Sequence, residues 1–422
     1  MRQVYRKIPV YTGDVSGVCS ALYELGGMVV MHDPSGCNST YNTHDEIRWY
    51  DQDSLIFLSG LNEMDAVMGS DDKLIHDTVE AARIYRPAFI AIANSPIPYI
   101  TGMDFDAICR IIEKETGIPS FYIMTNGMHD YTHGAGLAFL QLAKRFVEDP
   151  DSAQKTVRDQ EAVQKAGAGR IRCNILGLTP LDFAASSTRQ TLVSKLTAAG
   201  LEVVSCWAMG ENAAKDKAAE NFYKVEKTIK TSLLEGIRSS AQADVDLVIS
   251  STGLAAADYL KEKYGIPYVA GIPAEGTEDL YFEAVREAVR TGKNAYPFRD
   301  RPEGKEEGGG RDSLYCLIGE PAVMTSLAAS LEIRTGARTR VFGMTEEGKG
   351  LLGGKDTAPQ GEEELAALLD REVRTGAQVK ILADPLYQDV LPSQAELRPL
   401  PHLAFSGRIF LKEIPDLTGL SL

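Results

Sequence analysis

The strongest constraint on the fold is a rhythm: from residue 72 to residue 382, helix-period stretches alternate with short apolar runs of strand length. Asp72 to Tyr85 reads as helix, Pro87 to Ala93 as buried strand, Asp104 to Thr116 as helix and Ser120 to Met124 as strand. A second round holds strands at 170–178, 202–206, 245–250 and 267–270, with helices at 188–199 and 254–263. A third has strands at 313–318, 338–342 and 378–382, with helices at 322–334 and 362–374. Alternation of this kind builds α/β units with parallel strands. The joints repeat as well: Glu115-Thr-Gly-Ile-Pro119, Lys263-Tyr-Gly-Ile-Pro267 and Arg334-Thr-Gly-Ala337 each close a helix with glycine. Glycine accepts the left-handed conformation of a helix end, and a following proline stops the helix from continuing.

A chain of 422 residues exceeds one ordinary core. Two polar breaks, Asp149 to Gly169 and Asn294 to Arg311, divide it into three Rossmann-like open parallel-sheet domains, expected at residues 1–165, 166–298 and 299–422. The formal net charge of -15 would repel phosphate, which argues against nucleic acid and anionic membrane as partners. The basic N-terminus lacks the apolar core of a secretory signal, and no run reaches the length of a membrane span. The expectation is a cytoplasmic protein. Six cysteines in so long a chain make no disulfide framework and point to metal or redox work.

Two of those cysteines stand on polar segments at the ends of regular elements. Cys19 is expected at the opening of a helix, where free backbone N–H groups and the helix dipole favour thiolate. Cys37 follows Asp33-Pro-Ser-Gly36, a turn whose amides can donate to sulfur. Both settings suit metal ligation; the plain alternative is a small core residue and an idle loop thiol.

His32-Asp-Pro-Ser-Gly-Cys37 resembles the His-Gly-Pro-x-Gly-Cys loop of the nitrogenase component 1 superfamily, with Cys19 upstream where that family has another cluster ligand. The stretch Gly60 to Leu74 and the segment Asp258-Tyr-Leu-Lys-Glu-Lys-Tyr-Gly-Ile-Pro267 are similar to further family motifs, in the same order. The resemblance implies three α/β domains and an Fe–S cluster, with Cys19 and Cys37 as its ligands, at an interface between component 1 subunits. It implies reduction by a separate ATP-dependent iron-protein reductase; this chain has no phosphate loop with Lys-Ser or Lys-Thr.

Departures from the pattern narrow that picture. No cysteine stands in Asn94 to Asp104, where members with the larger double cluster supply a third, and none near Ile249-Ser250-Ser251, where nitrogenase holds its iron–molybdenum cofactor. No iron–molybdenum cofactor is therefore expected. A [4Fe-4S] cube needs four ligands, and two from each of two chains would complete it in a homodimer; a related component 1 subunit could complete it instead. Asp33, in place of the family's glycine, is a further possible ligand or a turn cap.

Around Cys37 the polar run Asn38 to Trp49 holds His44 and Arg48, one helical turn apart if the segment is helical. They are the candidate catalytic pair, or else a capped helix start with solvated charges. His129 and His133 have i, i+4 spacing, yet the glycines of Gly127 to Gly136 argue for a loop and no third ligand is evident in sequence. A small-molecule contact is the functional reading there. Cys109, Cys173, Cys206 and Cys316 fall in apolar, helix- or strand-like runs and read as core.

The resulting expectation is a component 1-type oxidoreductase subunit that takes low-potential electrons through the Cys19/Cys37 cluster to a small-molecule substrate the residues do not identify. The alternative is a scaffold or maturation protein that assembles or carries a metallocofactor without turnover.

Overall fold

The computed structural model describes residues 6–8, 12–36, 41, 46–50, 52–69, 71–150, 170–210, 232–301 and 313–420. The chain forms three four-stranded parallel sheets with helices between the strands. In the first, helix α1 (Asp14–Leu22) precedes β1 (Met28–His32) and β2 (Leu55–Leu58). Next come α2 (Glu63–Met68), α3 (Asp71–Tyr85), β3 (Ile90–Asn94) and α4 (Pro96–Thr101). The unit ends with α5 (Phe105–Thr116), β4 (Ser120–Ile123) and α6 (Tyr131–Phe146).

The second sheet uses β5 (Ile171–Leu176), β6 (Leu201–Cys206), β7 (Val245–Val248) and β8 (Tyr268–Ala270). Its helices are α7 (Thr188–Ala198), α8 (Ser232–Arg238), α9 (Leu254–Tyr264) and α10 (Glu278–Thr291). The third uses β9 (Ser313–Gly319), β10 (Arg338–Gly343), β11 (Gln378–Ala383) and β12 (Glu396–Pro399), with α11 (Pro321–Thr335), α12 (Glu362–Arg374) and α13 (Leu403–Ser406).

All three sheets share one strand order, second–first–third–fourth. The connection therefore reverses direction between the first and third strands, and a crevice opens beyond their carboxyl ends, where open α/β sheets bind ligands. The three joints end as expected: Gly117, Gly265 and Gly336 close α5, α9 and α11 at φ of 70°, 74° and 70°. The edge strands β2 and β12 were not legible as strands, being short and flanked by irregular chain.

Two local expectations are corrected. Helix α1 begins at Asp14, so Cys19 lies in its second turn, away from the free N–H groups of the helix start. Residues 131–136, expected as loop, open α6, because Asp130 caps the helix by accepting from the Thr132 N–H at 3.0 Å. Gly134, one of the glycines that suggested a loop, serves packing. A Cβ on Gly134 would lie 1.9 Å from the Asp14 carbonyl oxygen, and one on Gly17 would lie 2.3 Å from that of Tyr131. Glycine at both places lets α1 and α6 pack backbone to backbone.

Helices α1, α6, α8 and α9 then bury a continuous apolar core under the first two sheets, with Val18, Leu142, Ile237 and Leu260 inside it. A second core joins the second and third sheets through Leu192, Tyr281, Leu327 and Leu382. Among the described residues no helix is long and apolar enough to cross a membrane.

Candidate functional site

Cys19 is wholly buried, within the core formed by α1, α6 and the side chain of Tyr41. It makes no disulfide. Cys37 and His44 lie outside the described residues. Gly36, just before Cys37, is exposed, and a Cβ there would meet nothing within 4 Å.

Arg48 is buried on a 3-10 turn, Ile47–Tyr50, and its five N–H groups are spent inside the chain. Nε and Nη2 donate to the two Glu46 carboxylate oxygens at 2.7 Å each, and Nη1 donates to Glu24 at 2.8 Å. The remaining donors reach the carbonyls of Ala208 at 3.2 Å and Ser20 at 2.9 Å. Glu24 also accepts from the Gly210 N–H at 2.7 Å, and the Arg408 guanidinium donates to the Glu46 carbonyl. The guanidinium stands 4.4 Å over the Tyr23 ring. Arg48 thereby ties residues 46–48 to α1 and to the second unit at Ala208, while Glu24 extends the tie to Gly210 and Glu46 extends it to Arg408 of the third unit. Such saturation fits a positioning role better than substrate contact.

At the carboxyl ends of β1 and β3 lie His32, Asp33 and Ser95, all buried. His32 Nδ1 hydrogen-bonds Ser59 Oγ at 2.8 Å, while its Nε2 has no partner among the described residues. Burial lowers the imidazole pKa to about 4, so the ring is neutral at physiological pH. Asp33 accepts from the Ser95 hydroxyl, and burial pushes its carboxyl above the ordinary range.

Sequence reasoning missed a second constellation where the switch points of the second and third sheets face each other. Asp182, on the loop after β5, accepts from Tyr131 Oη at 2.5 Å and Ser250 Oγ at 2.6 Å. His402, just after β12, places Nε2 2.9 Å from Asp182 Oδ1, and its Nδ1 is buried without a partner among the described residues. Glu320 caps α11, accepting from Ser251 N at 2.9 Å, Ala322 N at 3.1 Å and Val323 N at 2.8 Å. Burial and the nearby Asp182 carboxylate raise Glu320 to about 7. Between Asp182, Glu320 and His402 is a cavity of about 10 Å³, the room of a single water. Ser250, where nitrogenase holds its cofactor cysteine by resemblance, gives its hydroxyl to Asp182, and Ser251 gives its backbone N–H to Glu320. No local motif announces this set, because its members are scattered from residue 131 to residue 402.

The family model described as nitrogenase component 1 type oxidoreductase matches residues 17–291. The chain belongs to that family. The component 1 fold extends further still: the solved structure titled "Nitrogenase Cp1 at pH 6.5" superposes over 99% of this chain and 94% of that one, with a TM-score of 0.63 at 14% identity. Among curated proteins, the nitrogenase iron-molybdenum cofactor biosynthesis protein NifE of Klebsiella pneumoniae is 30% identical over 103 residues, 24% of this chain and 22% of that protein. NifE of Methanosarcina barkeri is 22% identical over 217 residues, 50% of this chain and 40% of that protein. The matches thus span less than half the length of these curated relatives.

Proposed function

We propose that the chain is a component 1-type oxidoreductase subunit in which electrons enter through an Fe–S cluster held by Cys19 and Cys37 and protons are handled where the second and third sheets meet. The observation that carries this reading is the buried Asp182–His402–Tyr131–Glu320 set at the strand ends. A carboxyl that titrates near neutrality, beside an imidazole and a phenol, is the equipment a reductase needs to deliver protons. Asp182, accepting from Tyr131 and Ser250, orients His402; Glu320 holds or releases the proton.

The donor set for the cluster fits in part. Cys19 offers a thiol on a fixed helix, fully covered, which suits a low-potential centre kept from water; its buried setting also suits a core thiol. Cys37, or a partner chain, must supply the rest, with Asp33 as an alternative ligand. When bound, such a cluster supplies one-electron transfer. An ATP-dependent iron protein is the reductase this reading requires.

A second reading, a scaffold that carries or assembles a metallocofactor, is favoured by the curated relatives, which are cofactor biosynthesis proteins by name. The two separate by experiment. The chain is reconstituted anaerobically with iron and sulfide and given an ATP-dependent iron protein. Steady-state reduction of a small molecule supports the oxidoreductase, and transfer of metal to an acceptor without turnover supports the scaffold. A colourless protein that takes up no iron and sulfide overturns both.

A further inference from the structure

The third ligand that sequence could not supply for His129 and His133 comes from the third sheet unit. His129 lies just before α6 and His133 in its first turn, with ring centroids 4.3 Å apart. Glu346, on the loop after β10, places Oε2 2.9 Å from His129 Nδ1. One donor atom from each of the three residues can be chosen so that all lie within 4.8 Å of one another. Two imidazoles and one carboxylate are the donor set of metal sites that keep coordination positions open.

The loop carrying Glu346 is itself held in place. Asp130 Oδ2 accepts from the Glu346 N–H at 2.7 Å, and Thr132 Oγ1 accepts from the Glu347 N–H at 3.3 Å. Glu347 Oε1 lies 3.1 Å from His133 Nδ1. A metal-ligating histidine ordinarily gives its other ring N–H to a carboxylate, which fixes the ring and raises its basicity. Glu347 stands in that place. The three donors face a pocket of about 320 Å³, also lined by Thr345, Lys349 and Gln360. That is room for an ion, its waters and a small anion, with Lys349 as counter-charge.

We propose that His129, His133 and Glu346 bind one divalent first-row transition-metal ion, zinc or ferrous iron, whose open positions face this pocket. The site joins the first sheet unit to the third and is independent of the cysteines. Imidazole and carboxylate donors suit zinc and iron alike, and selectivity between them is set by supply.

The test uses the full chain, stripped with chelator and titrated with Zn²⁺ by calorimetry and with Co²⁺ by its visible absorption. One ion per chain is expected, with a raised melting midpoint. His133→Ala and Glu346→Gln, each folded by circular dichroism, should weaken binding more than 100-fold and abolish the midpoint rise. Glu347→Gln should weaken it about 10–100-fold, and Cys19→Ala should leave it unchanged. If His133→Ala does not fold, His129→Gln takes its place. Absence of stoichiometric binding by the wild type, wild-type affinity in the folded ligand variants, or loss of binding in Cys19→Ala alone would overturn the assignment.

Discussion

Arg48 illustrates how a residue can be prominent in sequence for one reason and matter in the fold for another. Its position eleven residues after Cys37 invited a substrate role, whereas its partners, Glu24, Glu46 and the carbonyls of Ser20 and Ala208, make it a buried tie. Replacing it with Met leaves two buried carboxylates uncompensated. The expected cost is about 3–5 kcal/mol in urea unfolding, and a loss below 1 kcal/mol would show that the tie is not needed. Two titrating groups give opposite signs. His32, held neutral with a pKa near 4, lets the unfolded chain bind a proton the folded one refuses, so its share of stability is lost as pH falls from about 6.5 toward 4. Its imidazole resonance should not move between pH 8 and pH 5.5; a midpoint near 6.5 would contradict its burial. Glu320, raised to about 7, is protonated when folded at pH values where the unfolded carboxyl is ionised, so its share falls as pH rises from about 4.5 through 7. Glu320→Gln should therefore lose less stability than wild type between pH 5 and pH 8.

Helix α6 is the element on which local reading and tertiary structure diverge. Two glycines in its first two turns, Gly134 and Gly136, weaken helix propensity, and a single sequence contains no sign that α1 lies against Gly134. Gly134→Ala puts a methyl group into the Asp14 carbonyl. It should cost about 1–3 kcal/mol despite alanine's better propensity, read as a shift in urea midpoint; an unchanged or higher midpoint would mean the helices can part. The helices α5, α9 and α11, by contrast, were legible to within a few residues, because their closing glycines are local signals. The Asp182–His402–Glu320 set was not legible, since each member looks ordinary until the second and third sheet units meet.

At the scale of the whole molecule, three sheets share one strand order and each carries buried polar side chains beyond its strand ends: His32 and Asp33 in the first unit, Asp182 and Ser250 in the second, Glu320 in the third, the last three gathered with Tyr131 and His402. The alternating pattern made the sheets legible, and the cysteine loop made the family legible; the joining of the units through common cores was hidden, because it rests on contacts across hundreds of residues. The central claim is that Cys19 and Cys37 hold half of a cluster that a second chain completes. It is tested most directly by iron and acid-labile sulfide per chain, measured together with mass in solution on the anaerobically reconstituted wild type and Cys19→Ala. The account predicts a dimer with about two sulfides and two cluster irons per chain, lost in the variant, beside any iron held by His129, His133 and Glu346. Four irons per chain in a monomer, or a cluster that survives in Cys19→Ala, would contradict it.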